Sequence, residues 1–146
     1  MRTIRLAVLT VSALALLSGV ALASFRTGPY HGKTAQRLVI SFVVHRHTVT
    51  RLTYAVRYRC STGIRYTGSE LLDTTVFRIR NGRFGGRSQS PSGATKSEIH
   101  AQLGGSSATG IVRRTIRINT VTNRPDPAGN ELCDSGRVRF SAHLVQ

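Results

Sequence analysis

Between Arg51 and Cys60 the chain alternates without a break: Leu52, Tyr54, Val56, Tyr58 and Cys60 share one parity, and Arg51, Thr53, Ala55, Arg57 and Arg59 share the other. Wound into a helix, these residues would spread apolar and charged groups over every side. Only an extended strand sends successive side chains to opposite faces and keeps the two sets apart. The segment therefore reads as a β-strand with one dry face and one wet face, and the dry face needs a second layer to cover it.

The same period recurs along the chain. Leu38, Ile40, Phe42 and Val44 alternate with Arg37, Ser41 and His45, and Val39 and Val43 add apolar groups to the second face, which places this strand in the middle of a sheet. Ile99, Ala101 and Leu103 repeat the pattern, as do Gly110, Val112, Ile116 and Ile118, and then Val138, Phe140, Ala142 and Leu144. A shorter strand from Thr75 to Arg80 ends at Asn81-Gly82, a pair that suits a type I′ hairpin because both residues accept positive φ, so Phe84 should open the return strand. Gly85 to Thr95, rich in Gly and Ser, and Asn123 to Asn130, with Pro125 and Pro127, read as loops. No stretch carries a helical stripe. Strands separated by turn signals predict an all-β fold with one disulfide, an antiparallel β-sandwich first and a closed β-barrel as the alternative.

Residues 1–23 are of another kind. Arg2 and Arg5 precede an uncharged apolar run from Leu6 to Ala23 that closes on Ala21-Leu22-Ala23, the order of a secretory signal peptide. Thr10, Ser12, Ser18 and Gly19 thin the run and no stop-transfer charges follow it, so cleavage is expected in place of a membrane span. The expected organisation is a signal peptide over 1–23, an N-terminal segment over 24–36 and the β-domain over 37–146, secreted or associated with the cell envelope. Export puts Cys60 and Cys133 where a disulfide between them is the default state. Closing that loop stabilises the fold by about 4 kcal/mol on loop-entropy grounds. Cys133 is odd-numbered while Val138, Phe140 and Ala142 are even-numbered; if all face inward, one residue is bulged out between them, and Gly136 is best able to do it.

Gly28-Pro29-Tyr30-His31-Gly32-Lys33-Thr34, Asn81-Gly82-Arg83-Phe84, Ala108-Thr109-Gly110 and Cys133-Asp134-Ser135-Gly136 leading to Phe140-Ser141-Ala142 together resemble a group of uncharacterised secreted all-β proteins of GC-rich bacteria. The likeness implies the architecture and brings no activity with it.

The formal net charge is +15, and Lys33 and Lys96 are the only lysines, so the excess is almost wholly arginine. Arg51, Arg57, Arg59, Arg113, Arg117, Arg137 and Arg139 fall on parities that point away from the core. Merged into one stripe, they would grip phosphate or carboxylate groups bidentately. The expected function is a secreted, non-enzymatic binding domain for an anionic polymer of the envelope or matrix. A structural or accessory domain that docks on a protein is the alternative, and an extracellular hydrolase with a site not visible in sequence is the weaker one. Nucleic acid is set aside because export removes the chain from it.

Other chemistries find less support. His45-Arg46-His47 offers two imidazoles on one strand face, half of a metal site with no third ligand at a telling spacing. Asp126, Glu131 and Asp134, with Asn130, gather oxygen ligands of the kind Ca²⁺ takes, but not at EF-hand spacing. There is no G-x-S-x-G elbow, and Glu70 with Asp73 is the only close carboxylate pair outside the final loop. No catalytic residue, metal or cofactor is nominated. Tyr30 and Tyr66 are the only tyrosines free for sugar stacking. Arg114 falls on the apolar parity, so its strand must bend out there or a carboxylate must meet it.

Overall fold

Each alternating segment is a strand in this computed structural model, which describes residues 24–72 and 75–146. The leader expected over 1–23 lies outside the described residues, as does Asp73. The strands are β1 (Gly28–Thr34), β2 (Val39–His45), β3 (Thr48–Cys60), β4 (Arg65–Leu72), β5 (Phe77–Arg78), β6 (Arg83–Gln89), β7 (Thr95–Gly104), β8 (Ser107–Asn119), β9 (Arg124–Pro125), β10 (Glu131–Asp134) and β11 (Val138–Leu144), and no helix occurs among the described residues.

The strands β10, β3, β2, β1, β11 and β8 pair in that order, and β10 pairs with β8 in turn, so the ring is complete. The fold is thus all-β with a closed six-stranded antiparallel barrel, the alternative to the sandwich preferred from the sequence. Strands β4 and β5 attach to β3, while β7 with β6 beyond it, and β9, attach to β8.

Two long strands organise the ring. Along one edge of β3 runs β4; along the other come β2, opposite Thr48 to Tyr54, and then β10, opposite Arg59 and Cys60. In the same way β8 carries β7 on one edge, and β11 followed by β10 on the other. At one end, therefore, three strands separate β3 from β8, and at the other end β10 alone does so.

The dry parities meet inside. Leu52, Tyr54, Val56 and Tyr58 of β3 are buried with Tyr30, Ile40, Phe42, Ile99, Leu103, Val112 and Phe140. Phe42 stacks on Tyr30 at 5.2 Å between ring centroids and meets Phe84 at 5.3 Å. Tyr30, read from the sequence as free, is fully buried and donates its hydroxyl proton to the Arg26 carbonyl at 2.9 Å.

Several expectations change. The segment 24–36 is integral to the domain, because β1 lies between β2 and β11 in the ring. Gly85 to Thr95 is mostly strand: β6 pairs with β7 from Arg83 to Gln89, and only the residues from Ser90 to Ala94 turn. Glycine suits that strand because a Cβ on Gly85 would lie 2.3 Å from the Ile99 carbonyl oxygen. The Asn81-Gly82 turn forms as expected, with both φ positive and Arg80 and Arg83 exchanging two backbone hydrogen bonds. No ladder extends from it, however: the strand expected over Thr75 to Arg80 shortens to β5, which pairs with β3, while β6 pairs with β7.

The disulfide Cys60–Cys133 forms, but between neighbours. The two residues are directly opposite on β3 and β10, so it staples the ring at its shortest ladder and does not cross a core between two sheets. The bulge lies where expected: Val112 pairs with Val138 and Thr115 with Asp134, so Arg113 and Arg114 face three residues, Ser135, Gly136 and Arg137. Gly136 takes the positive φ of 65° that this kink requires.

Arg114 is met by a carboxylate. It pairs through Nε with Glu70 of β4, its NH1 donates to the Ser69 carbonyl at 2.7 Å, and its guanidinium lies 5.9 Å from the Tyr58 ring centre. Glu70 occupies an inward position of β4, so the two charges that break the apolar pattern of their strands satisfy each other.

Candidate anion-binding site

The narrowing of the ring leaves a notch in its wall. Between Tyr54, which pairs with Ile40, and Arg59, which pairs with Asp134, β3 has no strand on its ring edge. The Gln36 side chain fills the gap: the Arg57 amide donates to Gln36 Oε1 at 2.6 Å, and Gln36 Nε2 donates to the Arg57 carbonyl at 3.2 Å. On the β8 side, the Arg114 amide donates to Ser135 Oγ at 2.9 Å and the Ser135 amide donates to the Arg114 carbonyl at 3.0 Å. The result is an open depression of about 760 Å³ whose rim includes Gln36, Arg57, Arg59, Arg65 and Asp134.

Residues directly opposite on neighbouring strands share a face. One outer row therefore runs Arg65, Arg59, Asp134, Thr115, Lys96 and Gln89 across β4, β3, β10, β8, β7 and β6. Two residues along, a second row holds Thr67 and Arg57 on one side of the notch and Arg113, Glu98 and Arg87 on the other. A second depression, about 550 Å³, has Arg87, Lys96, Glu98, Arg113 and Thr115 in its lining.

The carboxylates in these rows are held ionised. Arg113 clasps Asp134 with Nε to Oδ1 at 3.2 Å and NH2 to Oδ2 at 2.5 Å. That contact holds the Asp134 carboxyl below its ordinary value and raises the Arg113 guanidinium. Glu98 is also lowered, first by its 2.8 Å contact with His100 and further by Arg87 and Arg137.

The seven arginines read from the sequence are thus not one stripe. Arg57 and Arg59 stand together on the notch and are joined by Arg65, which the sequence did not single out. Arg113 is engaged by Asp134. Arg117 donates to the Gly129 carbonyl at 3.3 Å. Arg137 lies beside Glu98 and Arg113, and Arg139 opposite Ile111, on the β11 side. Arg51 sits at the far end of β3, in a bulge where it and Leu52 together oppose Phe42 and its φ is 51°.

The metal readings dissolve in the geometry. His45 closes β2 and pairs with Thr48, so Arg46 and His47 form a tight turn and the imidazoles of His45 and His47 do not share a strand face. The final-loop acids separate: Glu131 is buried and accepts from Thr62 Oγ1, Asp134 holds Arg113, and Asp126 accepts from the Ala128 amide. Cys60, Glu131 and Cys133 do converge, but both sulfurs are consumed in the disulfide.

The Glu70–Arg114 pair belongs to a packed interior cluster with Tyr54 and Tyr58. Burial raises Glu70 above its ordinary 4.5 in spite of Arg114, pushes Tyr54 up to about 12 and raises Tyr58. A Cβ on Gly68 would already come within 2.9 Å of the Tyr58 ring, so the cluster is filled by its own side chains. Its chemistry is that of a tie between β4 and β8.

No protein-family model, curated protein or solved structure matches the chain. The reading of the site therefore rests on its own geometry.

Proposed function

We propose that the protein is an exported, non-enzymatic domain that holds an anionic polymer at the Arg57–Arg59–Arg65 notch. One observation carries this reading: three guanidinium groups are gathered on the rim of a depression, and among the described residues none has a carboxylate within 4.0 Å. Guanidinium groups left unpaired present free forked donors, which favour phosphate or carboxylate oxygens. Export is supported by the leader-like order of residues 1–23 and by the disulfide. A protein-docking role would instead draw on exposed apolar side chains such as Val39, Ile64, Leu71, Val76, Val121 and Leu132.

The test compares two variants of equal charge on a phosphate-bearing polymer such as polyglycerol phosphate. Arg57, Arg59 and Arg65 changed together to Gln should weaken binding far more than Arg26, Arg83 and Arg124 changed to Gln. Equal losses would reduce the attraction to total charge and refute the reading.

A further inference from the structure

Away from the notch, the pairing of β1 with β11 joins two histidines from opposite ends of the domain. His31 and His143 stand directly opposite each other, and both side chains are exposed. Directly opposite residues share a face, with Cβ atoms about 5 Å apart. Two nitrogens bound cis to one ion at about 2 Å lie about 3 Å from each other, a separation that opposed imidazoles reach by side-chain rotation alone. His143 already has the kind of outer partner a ligating histidine takes: Ser107 Oγ is in hydrogen-bond contact with its Nδ1 at 3.2 Å, which leaves Nε2 to coordinate. The row runs on into neutral side chains, Ser41 on β2 and Ser107 on β8. Within two positions of either histidine on this face of β1 and β11, Lys33 is the only charged residue. A cation therefore meets less repulsion here than over the arginine-bearing rows.

We propose that His31 and His143 form a divalent transition-metal site on the outer wall of the barrel, one that takes Cu²⁺ ahead of Zn²⁺. Two protein ligands are fewer than a zinc centre uses. Cu²⁺ binds a nitrogen site most strongly among the first-row divalent ions, and its tetragonal shell accepts two cis imidazoles with water completing the set. The remaining positions face solvent, so a nitrogen or oxygen donor from outside can replace the water. The strand ladder fixes both backbones before the ion arrives, and only two exposed side chains have to be ordered on binding. The site shares no residue with the Arg57–Arg59–Arg65 notch, and the two readings stand or fall separately.

The test titrates the protein with cupric chloride in a non-coordinating buffer, reading backbone and imidazole NMR resonances and the EPR spectrum of the bound ion. Paramagnetic broadening should begin at His31 and His143, with Ser41 and Ser107 following, and the spectrum should carry the coupling of two imidazole nitrogens. His31→Asn and His143→Asn change exposed positions and leave the core untouched. Each should lose one nitrogen coupling and weaken Cu²⁺ binding by more than the roughly tenfold that loss of a ligand's hydrogen-bond partner costs. His100→Asn, which removes an exposed histidine of β7 held by Glu98, should bind Cu²⁺ as the wild type does. The inference is overturned if broadening begins at His45, His47 or His100, or if the His31 and His143 variants keep wild-type affinity. Zn²⁺ that displaces Cu²⁺ at equal concentration would overturn the choice of metal.

Discussion

Arg59 of β3 and Asp134 of β10 stand directly opposite each other, one residue along from the disulfide that joins the same two strands. The staple that closes the ring therefore also sets the distance across the notch. Without it, β10 meets β3 through a ladder of two residue pairs, the shortest join in the ring.

Reduction should consequently unlock the protein at this seam. The native chain, alkylated without reductant, should take up no label, and two labelled thiols would contradict the disulfide. Changing both Cys60 and Cys133 to Ser should cost about 4 kcal/mol, the loop-closure value for their separation of 73 residues. Denaturant unfolding of the two forms measures it, and a cost under about 1 kcal/mol would show that the seam holds without the staple.

The Glu70–Arg114 tie should behave as a buried pair, with side chains 17% and 14% exposed. Glu70→Ala removes the carboxylate that meets the guanidinium and should destabilise by about 3 kcal/mol, whereas Glu70→Leu combined with Arg114→Met should cost less than the two single losses together. Additive losses would mean that the two residues act independently.

The pair also has a sign in its pH dependence. Burial raises Glu70 above 4.5, so the folded state binds its proton more tightly than the unfolded state does; its contribution is complete below 4.5 and is lost as pH rises through the folded value. Asp134, lowered beneath 3.8 by Arg113, contributes stability present above 3.8 and lost as pH falls through its folded value. Carboxyl chemical shifts followed through a titration should place Glu70 above 4.5 and Asp134 below 3.8. The reverse order would contradict both environments.

How far the sequence spoke depended on whether each strand has a dry face of its own. β3, β7 and β11 were legible because Leu52 to Cys60, Ile99 to Leu103 and Val138 to Leu144 each alternate cleanly. β4 was not, because its inward parity holds Tyr66, Gly68 and Glu70, a set that makes sense only once Arg114 is placed beside it. β6 looked like a loop because Gly85 answers to the Ile99 backbone and Gly86 to the Phe77 ring, which no local pattern reveals. Ring closure depended on β10, four residues long and readable only through its pairing. At the site, Arg57 and Arg59 followed from parity. Arg65 and Gln36 did not, since one lies in the unseen strand and the other in the turn before β2, and the notch that joins them is a consequence of closure.

Gln36 gives the notch its own test. Its amide replaces a missing strand against Arg57, so Gln36→Ala should expose the Arg57 amide to solvent and speed its hydrogen exchange. The stability cost should be only about 1 kcal/mol, because water can take up the freed groups on this exposed edge. Unchanged exchange at Arg57 would show that the gap is closed by something else.

The central claim is that anions bind at the notch and not over the whole cationic surface. The most direct measurement is an NMR titration of the protein with polyglycerol phosphate, following backbone amide and arginine Nε–H resonances together. The account predicts that Arg57, Arg59 and Arg65 shift first and furthest, with the Gln36 side-chain amide moving alongside, while Arg26, Arg51 and Arg124 move little. Shifts spread evenly over all arginines, or centred on Arg26, Arg51 and Arg124, would contradict it.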